Sequence, residues 1–361
     1  MRRLALLASG VGSALVSLAL LTASVAVVGV DGAAWVAMLG ALAAYAGQIL
    51  TSLYVEIPLA GSPERQLRIP PIVAWIALAG SMLTVVGALV GSLEVSILAS
   101  LVFLSIAEPS RSVALSRFAV RSEFIGGLAV GAAAIWGYIA PSRPVLHVWI
   151  PLALAIAIGC RLVGVGVARG RPLRVSRGGW WVLGETLLTG ATQPFITSLA
   201  LSAIGPSGAV TYRAVVSVGN AFSPLLNMTR IRLLVRHSRA DIWFAIIAGL
   251  LTAGAVVLLH WSGVFGEILG EVWGGVDWVL IALLILWRIA TFWSTLPFAA
   301  LRRRGRTRRV FVARMISTAG YWITTLIAIV VSPTVTSLLV AVVISEALAV
   351  AIYLIAQRRM Q

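Results

Sequence analysis

The sequence predicts an all-α membrane protein of about twelve transmembrane helices, arranged as two six-helix bundles with both termini cytoplasmic. Three observations carry this. Hydrophobic residues make up 60% of the 361-residue chain. They gather in stretches long enough to cross about 30 Å of hydrocarbon at about 1.5 Å per residue. All 28 basic residues are arginine, and almost all lie at a chain end or in every second gap between apolar stretches, the positive-inside pattern of a multi-pass protein.

The first apolar segment spans 4–29 behind Arg2 and Arg3, and the second spans 33–59 after a gap holding Asp31. Arg65 and Arg68 precede the third at 70–91, and Glu94 opens the fourth at 94–115. Arg117 and Arg121 lead into the fifth at 122–140, while Arg143 is the one cation of an outer gap before the sixth at 145–168. Arg169, Arg171, Arg174 and Arg177 precede the seventh at 180–203, and the short connector Gly205 to Gly208 joins it to the eighth at 208–229. Arg230, Arg232, Arg236 and Arg239 lead to the ninth at 241–260, then Glu267, Glu271 and Asp277 to the tenth at 277–300. The run from Arg302 to Arg309 introduces the eleventh at 310–331, and the twelfth at 334–356 ends before Arg358 and Arg359.

The pattern divides the chain into an N-terminal bundle at 1–168, a cytoplasmic linker at 169–179 and a C-terminal bundle at 180–361. Segments 33–59 and 208–234 share length and character. Segments 94–124 and 281–311 each run from an apolar helix through an arginine-bearing turn to Phe124 or Phe311. An even number of spans gives both halves one orientation, so they are expected to be related by an axis along the membrane normal and to enclose a cleft. The first 26 residues also fit a secretory signal, with Arg2 and Arg3 before an apolar run and small residues at Ala23 and Ala26. The two-half pattern favours retention of this segment as a span.

Composition excludes several classes. The net charge of +16 is dispersed over short loops, whereas a nucleic-acid surface needs a contiguous basic patch, so anionic lipid headgroups are the expected partners of these arginines. The longest polar stretches, 61–69, 169–179 and 301–309, leave no room for a sizeable soluble domain. The one cysteine, Cys160, precludes an internal disulfide and offers no metal cluster. His147, His237 and His260 are far apart, and no HExxH, phosphate-loop or nucleophile-elbow pattern occurs, so neither an enzyme nor a cofactor is expected.

Function is therefore sought among polar residues inside spans, since a charge or amide facing lipid is costly. In the eighth span Arg213, Ser217, Asn220, Pro224 and Asn227 recur at spacings of four, three, four and three, which sets them on one helix face. In the seventh, Glu185, Thr189, Gln193 and Thr197 recur in steps of four, with Pro194 interrupting the hydrogen-bond ladder. In the second, Tyr45, Gln48, Ser52 and Glu56 form a comparable stripe. Bridging of helices by hydroxyls and amides accounts equally for such stripes, above all for the serines and threonines. Arg288 and Glu346 lie near the middle of spans ten and twelve, where they are expected to neutralise one another or to relay an ion. Glu108, Arg111, Arg161 and Arg314 lie nearer the cytoplasmic side, where structural roles are expected. Pro194, Pro224 and Pro297 are candidate hinges.

The segment IGPSGAVTYRAVVSVGNAFSPLLNMTR, from Ile204 to Arg230, resembles the junction of the seventh and eighth helices in bacterial polysaccharide flippases. These are the Wzx-like exporters of O-antigen and teichoic acid precursors, in the superfamily that also holds the multidrug and toxin extrusion (MATE) transporters. The turn at Gly205 and Pro206, Tyr212 to Ala214, and the small-polar face ending in Pro224 carry the similarity. The segment IAEPSRSVALSRFAVRSEF, from Ile106 to Phe124, is similar to the exit of the family's fourth helix.

The resemblance implies a MATE-like fold in a bacterial cytoplasmic membrane, and a lipid-linked oligosaccharide carried across by alternating opening of two halves. Its diphosphate would meet Arg213, and its sugars Ser217, Asn220, Asn227, Gln193, Gln48 and Tyr45. Two departures stand out: the chain is short for that family, and Met38 lies where a repeat-related partner of Arg213 would be. A multidrug or small-solute antiporter on the same fold is the alternative, favoured by carboxylates and aromatics at Glu185, Glu56 and Tyr45. The protein is expected to act as a monomer.

Overall fold

The computed structural model describes residues 2–58, 67–117, 119–168, 177–222, 226, 239–304 and 306–358. The described residues are helical almost throughout, and the chain forms two compact units, Met1–Pro194 and Phe195–Gln361.

The first unit opens with α1, Arg2–Thr51, which is two helices joined at a kink. The kink sits at Gly29, with φ 73° and ψ 178°, a backbone region that essentially only glycine visits. It lies at the end of the first predicted span, so one helix supplies two spans. A π-turn, Ser52–Glu56, extends the second. α2, Pro71–Val90, starts at a proline whose missing N–H costs nothing there and stops at the left-handed Gly91. α3 spans Leu93–Ser116 and α4 spans Val120–Ile139. A second π-turn, Val145–Trp149, leads into α5, Ile150–Val165. α6 covers Arg177–Gly190.

α1 packs on α3 and α4, α2 on α3, and both α3 and α4 on α5. Small residues permit this closeness: a methyl at Gly80 would meet the Phe103 ring at 2.9 Å, and one at Gly47 the Ser105 carbonyl at 2.8 Å. Between membrane helices such fit replaces the hydrophobic drive available in water. At the arginine-bearing end, Ile69 and Val167 form a short parallel bridge, and Arg117 Nη1 donates to the Val165 carbonyl at 2.9 Å, satisfying the end of α5.

The boundary between units falls inside α7, Thr192–Ala203. The second unit continues with α8, Pro206–Gly219, extended by a 3₁₀ turn at Asn220–Phe222. α9, Arg239–Trp261, is followed by the short α10, Val264–Leu269, and a 3₁₀ turn at Gly270–Val272. α11, Trp278–Arg303, is capped by Asp277, whose Oδ1 accepts from the Leu280 N–H at 2.9 Å. α12, Thr307–Val331, and α13, Val335–Arg358, complete the unit, with α13 against both α11 and α12.

Eight helices among the described residues are long and apolar enough to cross a membrane, the kinked Leu15–Glu56 stretch being one of them. Their outer faces carry Leu89, Val163 and Val330, each more than 80% exposed. Such faces suit hydrocarbon rather than water.

Candidate functional site

α8 is the element on which the strongest candidates sit. Gly205 takes φ 95°, which glycine tolerates, and Pro206 then starts the helix with its φ already set. From Gly208 to Gly219 every residue except Thr211 is buried. A helix enclosed on nearly all sides has no lipid face to which a polar group could be relegated. Arg213 is nonetheless in it, only 9% exposed, with Tyr212 in electrostatic range. One turn on, the Ser217 hydroxyl is buried with no hydrogen-bond partner among the described residues. Leaving such a hydroxyl unpaired, and a guanidinium this buried, is costly, which singles out this face.

A second guanidinium joins it. A methyl on Gly219 would lie 2.8 Å from Arg288 Nε and 2.6 Å from Leu284 Cδ1, so the absent side chain is what seats Arg288 flush against α8. There Arg288 Nη2 donates to Asn220 Oδ1 at 3.0 Å, its guanidinium carbon lies 3.8 Å from the Trp287 ring centroid, and its Nε has no acceptor among the described residues. Arg213 and Arg288 thus address one helix at sites six residues apart, about 9 Å along its axis.

The expected neutralising pair of Arg288 and Glu346 does not form as such. Arg288 turns to Asn220, and the Glu346 carboxylate lies 3.4 Å from Ser294 Oγ. The two charges remain within electrostatic range of each other, with Tyr321 and Tyr212 also near Arg288. The physical reason is geometric: the recess at Gly219 seats the guanidinium on α8 beside Asn220.

The first unit collects a separate group. Tyr45 hydroxyl donates to the Leu187 carbonyl at 3.0 Å, and Gly190 packs against both Tyr45 and Gln48, where a methyl would come within 2.6 Å of the ring and 2.8 Å of Gln48 Oε1. The interruption of the seventh span lies at this contact, where α6 ends at Gly190, and Pro194 sits in the first turn of α7. Glu185 is buried on α6. Glu56 ends the π-turn, which adds a residue to the helical turn and so rotates it off the stripe expected from steps of four. Ser52, in the same turn, is buried and its hydroxyl has no partner among the described residues. Asn227 and Pro224 lie outside the described residues. Pro297 is inside an unbroken α11.

One buried polar centre joins Glu108, Arg111 and Arg161 to Glu123, a residue the sequence pattern did not single out. Glu123, fully buried in the first turn of α4, receives Arg161 Nε at 2.5 Å, with Arg161 Nη2 at 3.5 Å and Arg111 Nε at 3.7 Å. Arg161 Nη1 also donates to the Ala107 carbonyl at 3.2 Å and Ser110 Oγ at 3.3 Å. Glu108 lies 3.9 Å from Arg111. Two guanidiniums and two carboxylates balance, so this is a structural clamp joining α3, α4 and α5. Among the described residues no group of three or more His, Cys, Asp or Glu could hold a metal ion.

No protein-family model and no curated protein matches the chain. Solved structures do. They include an inward-facing multidrug resistance MATE family transporter of the MOP superfamily, at 13% identity over 99% of this chain and 94% of that one, with a TM-score of 0.53. An outward-facing transporter of that description matches at 13% identity, over 99% and 95%, with a TM-score of 0.58. A MATE in complex with MaL6 matches at 13% identity, over 99% and 95%, with a TM-score of 0.61. Likeness over the whole length at so low an identity speaks to architecture alone: the chain is a multi-pass membrane protein with the fold of the MATE transporters of the MOP superfamily.

Proposed function

We propose that the protein is a transporter that flips a lipid-linked oligosaccharide, a polyprenyl-diphosphate sugar, across the bacterial cytoplasmic membrane by alternating access. The observation that carries this reading is Arg213: a guanidinium buried in α8, beside a Ser217 hydroxyl that has no partner among the described residues and on the same helix as the seat of Arg288. A phosphate group supplies what such a site lacks, because its oxygens accept charge-assisted hydrogen bonds from guanidinium forks. Asn220 and Ser217 offer amide and hydroxyl contacts for the sugar, while the polyprenyl chain can stay in lipid. The inward- and outward-facing forms among the matched structures support the alternating mode.

The buried carboxylate of Glu185 and the partly exposed phenol of Tyr45, both in the first unit, favour the second reading, a multidrug or small-solute antiporter, since carboxylates attract organic cations. Native mass spectrometry of the detergent-purified protein, wild type beside Arg213→Ala, separates the two. The flippase reading expects co-purified polyprenyl-diphosphate lipid in the wild type and loss of at least tenfold in the variant. Its absence from both, with binding of an organic cation such as ethidium instead, establishes the antiporter reading in its place.

A further inference from the structure

The end of α11 opposite Arg302 and Arg303 is reached through the connector from Ser262 to Asp277, which carries charge of one sign. Glu267, Glu271 and Asp277 lie in it, and no arginine occurs between Arg239 and Arg288. By the positive-inside pattern this end faces away from the cytoplasm. The connector folds on itself: the Glu267 N–H donates to the Gly263 carbonyl, the Trp273 N–H to the Gly270 carbonyl and the Val276 N–H to the Trp273 carbonyl, each at 3.0 Å. Gly263 and Gly270 take φ 77° and 54°, and a methyl on either meets nothing within 4 Å. Bends at unobstructed glycines let such a piece move as a body.

A side-chain hydrogen bond ties this piece to α9. Trp273 Nε1 donates to Nδ1 of His260, in the last turn of α9, at 3.1 Å. The His260 ring also meets Trp278, the first residue of α11, edge to face at 4.5 Å, and Phe265 of α10 packs on the Trp273 ring at 4.7 Å. An indole N–H can only donate, so Nδ1 must present a lone pair and the imidazole must be neutral, with its hydrogen on Nε2. A proton taken up by His260 can therefore go only to Nδ1, where it sets a donor against a donor. The bond is then lost, and the N–H of Trp273, a buried residue, is left unpaired in place.

What the connector covers is α8. The 3₁₀ turn at Gly270–Val272 packs on that helix, and a methyl on Gly275 would lie 3.5 Å from Thr211 Oγ1, two residues before Arg213. The charged groups around an imidazolium here are the three carboxylates of the connector. α9 has no other charged residue after Asp241, α8 brings only Tyr212 and Arg213, and α11 has none between Asp277 and Arg288. Glu267 and Glu271 are exposed, so the local charge draws an imidazolium away from Trp273 and toward solvent. We propose that His260 is a proton-sensitive latch: the neutral imidazole holds the connector against the Thr211 end of α8, and protonation releases it when the medium on that side turns mildly acid, the range in which histidine gains charge. The latch goes beyond the flippase reading and does not depend on which solute α8 meets.

Hydrogen exchange of the full-length protein in a neutral detergent, read by mass spectrometry at about pH 7.5 and about pH 5.5 and corrected for the intrinsic rate at each, tests this. In the wild type, peptides covering 262–277 are expected to lose about tenfold in protection at the lower pH, with α13 unchanged. His260→Asn, which offers an amide oxygen near the place of Nδ1 and takes up no proton, is expected to keep the connector protected at both. Trp273→Phe, which lacks the N–H, is expected to give one level at both pH values, below that of the wild type at the higher. No loss in the wild type overturns the latch. So does an equal loss across α13, which marks general acid unfolding, or an undiminished loss in His260→Asn, which moves the titration to the carboxylates. Should His260→Asn leave the connector open at both pH values, Trp273→Phe decides: a pH response kept without the indole N–H overturns the inference. Arg213→Ala is expected to leave the response intact, so a failure to find polyprenyl-diphosphate lipid strikes the proposed function and not the latch.

Discussion

Single residues in this protein matter most where a charge is buried. The clamp of Glu123 with Arg161 and Arg111 lies among apolar side chains, and removing one partner leaves a desolvated cation. Glu123→Gln is therefore expected to cost about 3–5 kcal/mol, seen as a clear fall in thermal unfolding temperature. The double change Glu123→Leu with Arg161→Met should recover most of that loss, since it removes both charges and keeps volume; no recovery would show that the clamp does more than hold helices. Gly219 works by absence. Gly219→Ala places a methyl 2.6 Å from Leu284 Cδ1 and 2.8 Å from Arg288 Nε, and overpacking of that kind costs about 1–3 kcal/mol. In an Arg288→Ala background the same substitution should cost less, and a double-mutant cycle of melting temperatures reads the coupling directly.

At the scale of elements, α1 shows how a local backbone requirement sets architecture. Its apolar stretch, Leu15–Glu56, has 42 residues, about 60 Å of helix and twice what a bilayer core needs. Gly29 divides it. A methyl there meets nothing within 4 Å, so the cost of Gly29→Ala is conformational alone, about 1–3 kcal/mol for a non-glycine residue in that backbone region. A lower melting temperature is expected without loss of helical signal by circular dichroism; unchanged stability would mean that the kink relaxes. The seventh span breaks comparably at Gly190, whose missing side chain admits Tyr45 and Gln48. Pro194 contributes by lacking the N–H that would have bonded to the Gly190 carbonyl. Periodicity placed Glu185, Thr189, Gln193 and Thr197 on one stripe, yet the helix ends between the second and third of them.

For the whole molecule, the Arg213→Ala comparison probes the proposed site on α8, a helix buried along nearly its whole length. Hydropathy and charge alternation alone determined the all-helical membrane fold and the placing of breaks near Gly29, Gly205 and Asp277, because each depends on local composition and turn chemistry. Partnerships were left to tertiary structure. Glu123 meets Arg161 across 38 residues, and Arg288 meets Asn220 across 68 instead of pairing with Glu346. Such choices depend on which helices adjoin, and between membrane helices adjacency is decided by the interlocking of small residues such as Gly219 and Gly190 with the side chains opposite, information that no single helix carries.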